Sequence, residues 1–281
     1  MADYDLGTRM DSEEEGGSAE EKEESSDEEK ENDPALLDAI RCREVDKASR
    51  LIKDGARFST VGHADTMPLH LASRMGLSNI VEILLEERAD VKAIDGYQST
   101  PLHLACDALF DKADADKDAA KNRAALLRAG GVEEESDEEM EGEANGFEEV
   151  VGLLLRAGAD TEARDRSENT PLLLAVEAGG VVVAPYVAGV IKQLLAANAN
   201  ANARSHKQNG ALHLAARLGD ATVVQMLLRA GANAAPERNK TQTPLHMDDE
   251  KVAVLLLHAR ADTAATDIDG RTALQLESRK P

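Results

Sequence analysis

The chain has 281 residues, a formal net charge of −22, no Trp and very few aromatic residues. Any core must therefore be built from Leu, Val, Ile and Ala, which suits helices packed closely through small side chains. So acidic a molecule repels phosphate, which excludes nucleic acid as a partner.

Charge is unevenly placed. Residues 1–33 carry −12, residues 107–146 carry −8, and everything else sums to −2. The first of these segments mixes Asp and Glu runs with Gly and Ser and has almost no apolar content. It cannot bury enough surface to offset ordering entropy, so residues 1–33 are expected to be a disordered acidic tail. The opening Met1-Ala2-Asp3-Tyr4-Asp5 lacks the apolar stretch of a signal peptide. The longest apolar run, Ala178 to Ile191, is too short to span a bilayer and contains Pro185. The Asn239-Lys240-Thr241 sequon then has no route to glycosylation. These features predict a soluble, intracellular protein, cytoplasmic and/or nuclear, with no membrane partner.

Pro34 opens a region that keeps returning to one pattern. It stands at Met67-Pro68-Leu69-His70-Leu71-Ala72, Thr100-Pro101-Leu102-His103-Leu104-Ala105 and Thr170-Pro171-Leu172-Leu173-Leu174-Ala175. Further versions are Gly210-Ala211-Leu212-His213-Leu214-Ala215, Thr243-Pro244-Leu245-His246 and Thr272-Ala273-Leu274. Thr can cap a helix through its hydroxyl, and Pro suits the first helical position, where its missing N–H is no loss. Each copy follows the end of a Leu-rich helical run by 12 residues: Gly55 to Met67, Arg88 to Thr100, Gly158 to Thr170, Asn198 to Gly210, Gly231 to Thr243 and Arg260 to Thr272. Gly adopts the left-handed conformation needed to end such a run. Arg88 and Arg260 are handicapped there by about 1 kcal/mol, and Asn198 less so.

A repeat of about 33 residues carrying T-P-L-H-x-A resembles the ankyrin repeat family over residues 34–281. The resemblance implies an all-α solenoid of about six repeats plus a partial one. Its units are placed near 34–66, 67–99, 100–169, 170–209, 210–242 and 243–271, with 272–281 incomplete. The first unit is an atypical cap with Leu36, Leu37, Ile40, Leu51 and Ile52 inward. The second is the most regular, with helices near 68–75 and 78–87. The third is overlong. Regular units take 21 residues from the opening motif to the closing Gly, whereas Thr100 to Gly158 takes 58. An acidic insertion at 108–145, including a helix over Asp118 to Ala129, accounts for the excess. Ala125 to Gly130 competes for the second-helix place, but the constant interval favours Phe147 to Ala157. The fourth unit has about seven extra residues near Gly180 to Gly189, and the sixth lacks four. All length variation thus falls between the helices of a unit, so deletion of 108–145 is expected to leave a folded array. The short sixth unit and the lone last helix predict that the C-terminal end is least stable.

The resemblance also places a concave binding groove along the inter-repeat fingers and first helices. The partner-contact candidates are Arg74, Met75, Tyr97, Gln98, Arg166, Glu168, Lys207, Arg217 and Lys240. In the family, the motif His ties neighbouring turns together, which makes His70, His103, His213 and His246 structural; Leu173 stands in their place in the fourth unit. His63, His206 and His258 have no companions at metal-ligand spacing. Cys42 and Cys106 are expected to be small core residues in a reducing compartment. Asp114, Asp116 and Asp118 resemble the start of an EF-hand loop, but Ala119 and Ala125 replace its Gly and Glu, so no metal is expected. No phosphate-binding loop or nucleophile elbow is present. Neither a cofactor nor enzymatic activity is expected. Ser12, Ser18, Ser25, Ser26 and Ser136 each precede an acid by three positions and suit an acidophilic kinase.

The favoured function is a non-enzymatic scaffold or adaptor, monomeric on its own, that grips another protein in its groove. The alternative is an acidic chaperone or decoy for basic proteins such as histones or ribosomal proteins, acting through residues 1–33 and 133–143. In a third possibility the acidic segments only maintain solubility.

Overall fold

The computed structural model describes residues 33–56, 67–110, 138–179, 185–234, 243–246, 250–267, 269–273 and 275, with backbone alone for 138–145. Helices run as α1 (Pro34–Arg41), α2 (Val45–Lys53), α3 (Pro68–Arg74), α4 (Ser78–Glu86), α5 (101–110) and α6 (Glu138–Arg156). They continue as α7 (Pro171–Ala178), α8 (Pro185–Ala196), α9 (Ala211–Arg217), α10 (Ala221–Arg229) and α11 (Glu250–His258). A 3-10 turn over Pro244–His246 takes the place of a first helix in the shortened sixth unit. Among the described residues the only β-structure is two isolated bridges, Arg204 with Gly210 and Thr266 with Thr272.

The helices form two rows. The first helices stack α1 on α3 and α7 on α9, while the second helices run continuously as α2, α4, α6, α8, α10 and α11. The regular unit matches its sequence expectation to within a residue at each helix end. In the third unit the second-helix place belongs to α6, whose Val150, Val151 and Leu154 are fully buried and which packs between α4 and α8. Its Phe147 ring lies against Gly76, where a Cβ would meet the ring at 3.2 Å. The expected helix over 118–129 and its competitor at 125–130 lie outside the described residues. Ala108 and Leu109, assigned to the insertion by sequence, belong instead to the core, because α5 continues through them.

Local chemistry explains where the helices start and stop. Asp33 caps α1 by accepting from the Ala35 N–H at 2.9 Å, and Asp220 caps α10 by accepting from Thr222 and Val223 at 3.0 Å each. The six positions that close the second helices all have positive φ: Gly55, Arg88, Gly158, Asn198, Gly231 and Arg260. The sequence foresaw these, but not a second set between paired helices, at Arg43, Gly76 and Gly219. One further expectation is corrected. Cys42 is no core residue; it forms the exposed C-cap of α1, its N–H donating to the carbonyl of Asp38. Cys106 on α5 is fully buried, and burial pushes its thiol pKa well up.

Candidate functional site

Between successive units the chain makes a tight hairpin, here called a finger, which in three described cases is built by one carboxylate. Asp95 Oδ1 accepts from the N–H groups of Tyr97 and Ser99, both at 2.8 Å. Asp165 does the same for Ser167 and Asn169 at 2.8 Å, and Asp267 for Asp269 and Arg271 at 2.9 Å. The Arg271 N–H holds the Asp267 carboxyl below the ordinary carboxylate range. Ser205 replaces the Asp in the remaining described finger, which keeps the backbone bond from Ser205 N–H to Asn209 O at 3.1 Å. Each finger also needs one left-handed residue, supplied by Gln98, Glu168, Gln208 and Gly270.

The fingers are joined to one another and to the helices behind them. Arg166 N–H donates to Tyr97 O at 2.9 Å, and His206 N–H donates to Ser167 O at 3.1 Å, so three consecutive fingertips form one hydrogen-bonded row. From behind, His70 Nε2 donates to Ser99 O, His103 Nε2 to Asn169 O and His246 Nε2 to Arg271 O, at 3.0–3.1 Å. The role expected of the motif His is therefore present at these three. Burial lowers the pKa of His70 and His103. Burial, with the Arg204 charge adding to it, lowers that of His213 to about 4. At His70 and His103 the imidazole thus serves as a buried link between a first helix and the finger beyond it.

Two of the sequence-derived contact residues meet directly. The Arg166 guanidinium sits over the Tyr97 ring, 5.6 Å from its centroid, and its Nη2 donates to Gly96 O at 2.6 Å. Tyr97 is nonetheless 64 % exposed. Ile94, missed by the sequence analysis, lies on the same finger and is 55 % exposed. Immediately beyond is a cavity of about 350 Å³ lined by Arg166, Lys207 and Arg217 together with Glu177, His206 and Leu214. Three expected residues thus converge on one concave site. Arg217 Nη2 is 3.6 Å from Glu177, and both side chains are half exposed. Nothing in the local sequence could have paired Glu177 of α7 with Arg217 of α9, because only stacking brings them together.

The other candidates scatter. Arg74 is the exposed last residue of α3, and Met75 is half-buried against the core. Gln98 and Glu168 serve finger geometry through their positive φ, and Glu168 also lies 3.6 Å from Arg164. Lys240, the five serines, His63 and the Asp114–Asp118 segment lie outside the described residues. Among the described residues no group of three His, Cys, Asp or Glu could hold a metal ion, and no helix is long and apolar enough to cross a membrane.

Comparisons with known proteins agree with this architecture. A family model described as ankyrin repeats (3 copies) matches residues 142–233, and one described as ankyrin repeat matches 66–96. The B-cell lymphoma 3 protein homolog of Mus musculus is 31 % identical over 209 residues, covering 71 % of this chain and 43 % of that protein. Neurogenic locus notch homolog protein 1 of Cricetulus griseus is 28 % identical over 179 residues, covering 64 % of this chain and 5 % of that protein. The chain thus spans less than half the length of these relatives. Among solved structures, the ankyrin repeat domain of Bcl-3, described as a unique member of the IkappaB protein family, superposes with TM-score 0.62 at 20 % identity, covering 88 % of this chain and 94 % of that one. The human ASB11 ankyrin repeat domain superposes with TM-score 0.63 at 22 % identity, covering 87 % and 91 %.

Proposed function

Since the chain is an ankyrin repeat protein, we propose that it acts as an adaptor that holds another protein non-covalently along its finger row and the adjoining cavity. The observation that carries this is the Tyr97–Arg166 pair. A large aromatic and a guanidinium, the residue types that dominate interface energetics, stand exposed on a rigid base and open directly onto a concave pocket. Neighbour-to-neighbour backbone bonds fix the fingers before any partner arrives, so little ordering entropy is lost on binding. His70 and His103 brace the fingers from behind by holding their carbonyls. Free thiols at Cys42 and Cys106 suit a reducing cytoplasm or nucleus.

The test is affinity capture from native extract, comparing the full chain with a Tyr97→Ala/Arg166→Ala variant at low and high ionic strength. The groove reading expects a specific partner, retained at high salt by the original chain and lost by the variant. Capture of basic proteins that ignores the double substitution and vanishes in salt would instead support binding by the acidic segments.

A further inference from the structure

We infer that the finger row selects an extended, acidic peptide segment of its partner, one apolar residue seated beside Tyr97 and Ile94 and carboxylates held at the cavity between α7 and α9. This rests on the groove reading above and specifies the occupant. The molecule as a whole is strongly acidic, yet the cavity brings Arg166, Lys207 and Arg217 together against Glu177 alone. At physiological salt the screening length is about 8 Å, so the residues that line the cavity dominate the field inside it. Lys207 is exposed, has no carboxylate partner within the described residues, and lines the cavity together with Arg217 of α9. Ser167, Ser205 and Asn209, polar residues able to donate to carboxylate oxygens, line the same cavity.

Apolar and cationic parts are contiguous because Arg166 belongs to both, covering the Tyr97 ring and lining the cavity. Packed helices stand about 8–10 Å apart, and an extended chain advances about 3.3 Å per residue. One finger-to-finger step therefore corresponds to about three residues of ligand. The fitting segment carries a Leu, Phe or similar side chain with Asp or Glu about three and six residues away.

The experiment is selection of a random peptide library displayed on phage against the full chain, followed by anisotropy titration of the enriched peptides, each labelled with fluorescein. The expected consensus is apolar and acidic at that spacing. Lys207→Glu is expected to weaken binding by on the order of tenfold, and Arg166→Glu by at least as much. Circular dichroism checks that both variants fold; Lys207 makes no contact on which folding depends. A neutral or basic consensus that still requires Tyr97 would overturn this inference and leave the groove reading standing. Acidic peptides indifferent to both charge reversals would also overturn it. No enrichment, or binding insensitive to Tyr97→Ala, would overturn both. A labelled single-stranded oligonucleotide that displaces the peptides from the same residues would replace the acidic-peptide assignment with a phosphate site.

Discussion

The Thr100 hydroxyl lies 2.8 Å from Nδ1 of His103, and the same Nδ1 accepts from the Thr100 N–H at 3.2 Å. The pair fixes the imidazole with its other nitrogen donating to Asn169 O, one unit further along. Thr243 and His246 repeat the arrangement at 2.7 Å. Three units carry half of it, and in one of them Gly210 stands before His213 without a hydroxyl. Met67 supplies no hydroxyl, and Nδ1 of buried His70 has no hydrogen-bond partner among the described residues. Leu173 supplies no imidazole, and the buried Thr170 hydroxyl has no partner among the described residues either.

One substitution should therefore have different signs at equivalent sites. Thr100→Val removes a made bond and is expected to destabilise by about 1 kcal/mol. Thr170→Val removes an orphaned buried hydroxyl and is expected to be neutral or stabilising by up to about 1 kcal/mol. Urea unfolding of the two variants decides it, and equal losses at both sites would contradict the assignment.

Acid should weaken the fold through three of its histidines. His70, His103 and His213 have folded pKa values below the ordinary value of about 6.5. In that interval the unfolded chain binds protons that the folded chain does not, so stability rises with pH across it. The contribution is complete above about pH 6.5 and is lost on acidification, for His213 down to its folded value of about 4. Acidification also relieves self-repulsion in a chain of charge −22, so the comparison must be internal. His213→Leu, which copies residue 173, should flatten the fall in melting temperature on going from about pH 7 to about pH 5. An unchanged slope would remove His213 from the account.

Arg88 and Arg260 hold φ of 64° and 61°. Replacing either by Gly relieves a left-handed backbone and should raise unfolding stability by about 0.5–1 kcal/mol, after allowing for the freer unfolded chain. The two sites lie in separate units, so the gains should add. A loss at either would mean that the Arg side chain contributes more than its backbone conformation costs.

The insertion should be removable only within limits. Replacing 111–137 with a short Gly-Ser linker keeps all described core residues and should preserve a cooperative melt. Deleting 108–145 also removes Leu109, which is fully buried, and should cost about 2–5 kcal/mol more, as for a lost core Leu. Similar melts for the two would place the edge of the core before Ala108.

The repeat, its register and the helix-ending positions were legible in the sequence because each depends on residues close together along the chain. The Gly55-to-Met67 interval and its five successors recur without change, and the positive φ at Arg88, Asn198 and Arg260 follows from that register alone. What the sequence concealed depends on several units at once. Cys42 sits in an apolar-looking stretch, but it falls where α1 ends, two residues past Ile40, the last buried position of the helix. The left-handed Gln98, Glu168 and Gln208 gave no sign, since neither Gln nor Glu signals that conformation. The cavity was half legible: its cations were picked from finger and helix positions, whereas Glu177 and His206 were not, and neither was the exposed Ile94 on the neighbouring finger.

The backbone bonds that couple Tyr97 to Arg166 and Ser167 to His206 turn the fingertips into a graduated ruler. A ruler reads distance before it reads chemistry. A ligand with the right side chains at the wrong intervals meets marks that cannot slide to accommodate it. Evolution of a new preference would then proceed by repainting individual marks, and a residue added to one finger would throw off every later mark on the scale.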